Sequence, residues 1–250
     1  MTVCPRPLRY LVPPLVTLVI LVLTGCGGDD ETSTPAPPAL RYDVAKANDI
    51  AHGAMIGEAD LAGAGWTVSQ TDNFESTPPP DGAPTCKVVD EKRNASKLIT
   101  DADRTGHAQK ELTLPASDTP VPTTVEVEVA IFKGTEAPGK ALDALRAAMT
   151  EDFPRCIQEI FAVQTPGGAE TKITDSTLAA PAPTGGIARA WDLDVTAQGA
   201  TFPLRIEAYA WVDSNAGGSV FLFGPRDVLT AQLVNAAVGK TVTKLTAQAR

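Results

Sequence analysis

The sequence predicts an α+β fold, a mainly antiparallel sheet with helices packed on it, and three observations carry that prediction. Residues 124–133 alternate Val125, Val127, Val129 and Ile131 with Glu126, Glu128 and Ala130, the period of a half-buried strand. Residues 187–196 and 202–212 are β-rich and are separated by Gly199-Ala200, a spacing suited to a two-residue hairpin turn. Residues 137–152 and 227–238 place Leu142, Leu145 and Met149, then Leu229, Leu233 and Val234, at helical spacing. Strands follow one another without regular strand–helix alternation, so the pairing is expected to be antiparallel.

In chain order, the amino terminus comes first. Arg6 and Arg9 precede an apolar run over 11–23, and Leu23-Thr24-Gly25-Cys26 closes it. A positive start, an apolar stretch and small residues before a cleavage point make a secretory signal. The run is shorter than the ~20 residues a membrane-spanning helix needs. A cysteine directly after Leu-Thr-Gly makes the pattern a lipobox. Cys26 is then the residue that takes diacylglycerol and further acyl chains such as palmitate, becoming residue one of the mature chain. Two or more chains make such an anchor stable. The expected organisation is a signal peptide over 1–25, a flexible linker over 26–43 rich in Gly, Pro and small polar residues, and one extracytoplasmic domain over 44–250.

Within the domain, 43–61 has helix-compatible apolar spacing, and glycines over 60–67 turn into a first strand at 66–71. Residues 74–85 read as a proline-rich loop, 87–98 as a short charged helix, and 107–114 and 124–133 as paired strands. The helix over 137–152 is expected to stop at Pro154, with Cys156 just beyond it. A weaker strand at 170–175 precedes the main hairpin. With Gly199-Ala200 as its turn, Val195 faces Leu204, Leu193 faces Ile206, Trp191 faces Ala208, Asp194 faces Arg205 and Asp192 faces Glu207. A strand at 219–223 and the last helix complete the domain.

The 250 residues carry a net charge of −9, which becomes −11 once Arg6 and Arg9 leave with the signal. That balance argues against nucleic acid, which selects basic patches. Of four cysteines, Cys4 leaves with the signal and Cys26 takes lipid. Cys86 and Cys156 remain and read as one disulfide of an oxidising compartment. A metal site is disfavoured because His52 and His107 stand in no ligand spacing with them, and no cofactor motif is present.

No catalytic constellation stands out. A nucleophile elbow, a His-Glu-x-x-His motif and a phosphate loop are absent. Ser219 lacks a histidine partner, and Asp192 and Asp194 read as a solvated strand face. Arg205, Tyr209 and Trp211 share the other face of their strand, and are either core beneath a helix or the lining of a ligand cleft.

The lipobox, the Asp60-Leu61 to Gly65-Trp66 segment after a helix, Cys86, and Cys156 after a helix crossing the sheet together resemble a group of actinobacterial surface lipoproteins and sensor domains. The group includes PknH-type extracellular sensor domains and PsbP-like lipoproteins. The resemblance covers about residues 45–248. It implies an α/β/α sandwich with a ligand cleft, although the PknH-type sensor has two disulfides where this chain has cysteines for one. No kinase domain or membrane-spanning helix accompanies it, so direct transmembrane signalling is not implied, and no functional residue carries over. The expected function is a non-catalytic ligand-binding or sensor-like module, anchored through Cys26 to the extracytoplasmic face of the cell membrane and meeting an unknown small molecule. The alternative is an envelope scaffold docking a protein, and an unrecognised envelope enzyme ranks third.

Overall fold

The computed structural model describes residues 42–72, 80–95, 103–116, 121–150, 152–165 and 167–248. Cys26 and the expected signal and linker up to residue 41 lie outside the described residues. The elements run α1 (Val44–Gly53), β1 (Thr67–Thr71), α2 (Pro84–Ala95), β2 (Arg104–Leu114), β3 (Thr123–Phe132), α3 (Glu136–Ala148), α4 (Asp152–Gln164), β4 (Glu170–Asp175), β5 (Ile187–Ala197), β6 (Ala200–Asp213), β7 (Ala216–Pro225) and α5 (Ala231–Gln248). The strands form one seven-stranded sheet in the order β1-β2-β3-β7-β6-β5-β4, and every pairing is antiparallel. The expected α+β class holds, and both faces of the sheet carry helices.

On the first face, α1 and α5 cover Val125, Val127, Val129 and Ile131 of β3, with Tyr209 and Trp211 of β6 and Val220 and Leu222 of β7. Asp43 caps α1, its carboxylate accepting from the Lys46 amide at 2.8 Å, a contact worth about 1 kcal/mol. The helix lies so close to β2 that a Cβ on Gly106 would fall 2.3 Å from the Ala47 carbonyl carbon. Glycine there is what allows the approach. On β7, a Cβ at Gly218 would come within 2.4 Å of the Trp211 indole, so its absence makes room for that ring against the neighbouring strand. Lys244 of α5 reaches back to Asp60 at 2.6 Å and to the Met55 carbonyl at 3.1 Å. Burial raises the Asp60 carboxyl, but the Lys244 ammonium, the Gly57 amide and the Lys240 charge together outweigh it and hold the group below its ordinary value.

On the second face, α2, α3 and α4 cover Trp191, Leu193 and Val195 of β5, Leu204, Ile206 and Ala208 of β6, and Phe221 and Phe223 of β7. Here the structure departs from the expected helix boundaries. Residues 152–164 form a helix of their own, because Pro154 sits in its first turn, where the missing amide donor costs nothing. Cys156 therefore lies inside α4. Cys86 lies inside α2, which begins at Pro84 and not at residue 87. The two sulfurs are bonded, with the Cα atoms 4.6 Å apart, so the bridge joins two helices and not a helix end to a loop. Nearby, the Thr85 amide and hydroxyl both donate to the Glu159 carboxylate, which places negative charge at the α2 amino terminus.

The β5–β6 register also differs from expectation. Ala197 pairs with Ala200, so the turn is Gln198-Gly199, with φ of 53° and 80°. Two successive positive φ values make a turn of the type that follows the twist of the strands, with glycine in its second place and not its first. The register moves by two residues, so every side chain keeps its expected face while the partners change. Asp192, not Asp194, stands opposite Arg205, and Glu207 stands opposite Ala190.

The Cys86–Cys156 bridge closes a loop of 70 residues, for which chain entropy gives about 4 kcal/mol. Replacing both cysteines with alanine is expected to lower the unfolding free energy by roughly that amount, read as a lower denaturant midpoint, with m rising because the unfolded chain is free to expand. An unshifted midpoint would contradict this account.

Candidate functional site

Central strands covered on both faces leave their charged side chains no water to turn to. The described residues hold two buried polar clusters, one on each face, and they differ in whether their hydrogen bonds are satisfied.

The first cluster gathers the residues singled out from the sequence. Glu207 is 0 % exposed. It accepts from Arg205 Nε at 2.6 Å and from the Ala179 amide at 3.2 and 3.3 Å, and it bonds the Tyr209 hydroxyl. Arg205 extends to Ser176 Oγ at 3.2 Å, to Asp192 Oδ1 at 3.4 Å and to the Thr177 carbonyl. The segment 176–180, leaving β4, straps over this side of β5 and β6, and its Ala180 amide and carbonyl both meet the Tyr209 hydroxyl. Burial, together with the Glu207 carboxylate, holds the Tyr209 phenol far above its ordinary value. Tyr209 and Trp211 are 1 % and 3 % exposed and sit in the core under α1 and α5. Of the two readings open for these side chains, the structure places them in the core. Arg205, Glu207 and Tyr209 have all their partners inside the protein, the mark of a network that fixes structure. Asp194 pairs with Arg226 at 2.9 Å, and Asp192 lies 3.5 Å from the same guanidinium.

The second cluster went unremarked in the sequence. On the second face, β2 and β3 place Thr105, His107, Gln109 and Glu111 beside Thr124, Glu126 and Glu128. Register sets Glu111 opposite Glu126 and Gln109 opposite Glu128. Glu126 reads from the strand period as solvent-facing, yet it is 0 % exposed. The reason lies in its neighbours, for across the β3–β7 pairing it stands opposite Phe221, at the border between the apolar half of this face and its polar half. Gln109 donates to Glu126 Oε1 at 2.7 Å. Glu126 Oε2 is buried without a hydrogen-bond partner, as are the hydroxyls of Thr124 and Thr105. Burial pushes the Glu126 carboxyl well above its ordinary value, the charges of Glu111 and Glu128 push the same way, and only Gln109 opposes them. At the half-buried rim, His107 Nε2 meets Glu128 Oε1 at 2.8 Å, and Ser69 Oγ meets Glu111. The one signal in the sequence was three glutamates within two paired strands. Finding it required the knowledge that helices also cover this face.

The two clusters respond differently to substitution. Arg205→Met leaves Glu207 buried without its cation and is expected to cost about 3–5 kcal/mol, while the double change to Met and Leu recovers most of that loss. Additive losses in chemical denaturation would contradict the pairing. For Glu126, the folded chain holds a proton that the unfolded chain releases above about pH 4.3. Stability therefore falls as pH rises from there towards the raised folded value, at up to about 1.4 kcal/mol per pH unit. Glu126→Gln is expected to flatten this decline between pH 5 and 8, measured as melting temperature against pH.

Among the described residues, no group of three His, Cys, Asp or Glu side chains is placed to hold a metal ion, and no helix is long and apolar enough to cross a membrane. No family model matches the chain, and no curated protein matches it. Among solved structures, the chain is similar to the crystal structure of the extracellular domain of PknH from Mycobacterium tuberculosis, with a TM-score of 0.49 at 10% identity, covering 80% of this chain and 97% of that one.

Proposed function

We propose that the chain is a non-catalytic ligand-binding or sensor-like module, held at the extracytoplasmic face of the cell membrane by lipid on Cys26. The observation that carries the binding role is Glu126 Oε2, a carboxylate oxygen buried without a partner beneath a half-exposed polar rim. Unsatisfied buried acceptors are costly, and a ligand that supplies the missing hydrogen bond removes the cost. Support for the compartment comes from the signal pattern ending at Leu23-Thr24-Gly25-Cys26 and from the Cys86–Cys156 bridge, a bond at home outside the cytosol. The fully satisfied Arg205–Glu207–Tyr209 network has the role of a structural brace in this reading.

Anchoring and binding are tested separately. Cys26→Ala is expected to move the chain from the membrane fraction to the soluble one, and mass spectrometry of the unaltered chain is expected to find diacylglyceryl-modified cysteine at its amino terminus. An unmodified Cys26 would remove the anchor from the account. For binding, the full chain is screened by thermal shift against cell-wall fragments, lipids and small metabolites. Retention of one defined envelope protein in membrane pull-downs, with no stabilising small molecule, would favour the scaffold reading instead.

A further inference from the structure

The second face of the sheet divides at the β3–β7 seam. On one side lie Phe221, Phe223, Ile206 and Leu204, dry beneath the helices. On the other side, three glutamates share the sheet face. Glu126 stands directly across from Glu111 and two residues along the same strand face from Glu128, and alternation turns all three side chains outward from the same side. Among the described residues, they hold one histidine, one glutamine and one serine as partners, and no lysine or arginine. A buried carboxylate oxygen with no donor, flanked by two further carboxylates, is a site short of N–H donors and of positive charge.

Resting on the binding role proposed above, we propose that this strip is the seat of a small primary ammonium ion, bound with its N–H groups on Glu126 Oε2 and on the carboxylates of Glu111 and Glu128. Three donors on one cationic nitrogen match three acidic acceptors, and charge-assisted bonds of this kind are the strong ones. A bare metal ion is the poorer match, since it draws its ligands to within about 2.0–2.6 Å and these residues form no such group. An ammonium nitrogen bridges carboxylates at ordinary hydrogen-bond lengths of about 2.7–2.9 Å. Binding also carries a proton balance. At pH below its raised carboxyl value Glu126 enters protonated, since burial and its two acidic neighbours push that value up, and the incoming cation displaces that proton to solvent while the ammonium keeps its own three. Affinity therefore rises with pH until Glu126 is ionised in the free protein.

The test uses the full chain and n-butylammonium, with tetramethylammonium and Ca²⁺ as comparison ions, by isothermal titration calorimetry in two buffers of different ionisation enthalpy. The expected result is saturable binding of n-butylammonium with release of about one proton, affinity rising about tenfold per pH unit while Glu126 is protonated, and no binding of tetramethylammonium, which has no N–H. Glu126→Gln is expected to weaken binding at least tenfold and abolish the proton release. Glu128→Gln, at the half-exposed rim, weakens it less and keeps the release, so a folding defect in the first variant does not leave the question open. Unchanged binding in Glu126→Gln, equal binding of tetramethylammonium, preference for Ca²⁺, or no heat with n-butylammonium would each overturn this assignment. Stabilisation of the chain by some other molecule in the thermal-shift screen would leave the broader binding role standing without it.

Discussion

The pairing of β3 with β7 is the constraint on which the rest of the structure depends. It runs from Thr124 against Phe223 to Ile131 against Ala216 and joins two units that are otherwise local, the β1-β2-β3 meander and the β4-to-β7 meander. Neither unit has a neighbour for its inner edge until this seam closes, and each edge would stay open to foreign strands. Because the partners lie far apart in sequence, loop-closure entropy must be met before the seam contributes anything.

Once the seam forms, β3, β7 and β6 lie in the middle of a sheet covered on both sides, and that determines the fate of each charge they carry. Arg205, Glu207 and Tyr209 solve the problem internally, with the 176–180 strap supplying the last donors and acceptors. Glu126 does not, because the neighbouring β2 offers it one amide, Gln109, while the histidine of that strand is taken by Glu128. Two glutamates at 0 % exposure thus have opposite meanings. One is neutralised by an arginine two residues away on its own strand face, the other is left short of a donor.

Much of this architecture was legible in the sequence, for a physical reason. Period-two alternation marked β3, hairpin spacing marked β5 and β6, and leucine spacing marked α3 and α5, because one face of each element is apolar throughout. The side of the sheet on which each residue of β5 and β6 lies followed from the pattern alone, since a shift of two residues leaves faces unchanged. Partner identity depends on turn geometry, and Gln198 at positive φ is a conformation that side-chain type does not announce. The α4 helix was hidden by Pro154, which ends a helix when it falls inside one and starts a helix when it falls in the first turn; spacing alone does not tell the two apart. The charged strip was hidden by the assumption that Glu126 and Glu128 meant solvent. Whether alternating glutamates look into water or into a second layer is decided by helices far away in the chain.

The location of the Cys86–Cys156 bridge also makes the two layers of the molecule unequal. Sulfur ties α2 to α4 on one side of the sheet, whereas α1 and α5 on the other are held by apolar packing and by the ammonium of Lys244 on Asp60 and on the Met55 carbonyl. Salt screens an ionic latch of that kind and leaves a covalent rivet untouched. A rise in ionic strength therefore trims that one polar tie, modestly because the pair is half-buried, while the sulfur bond on the opposite flank is indifferent to it.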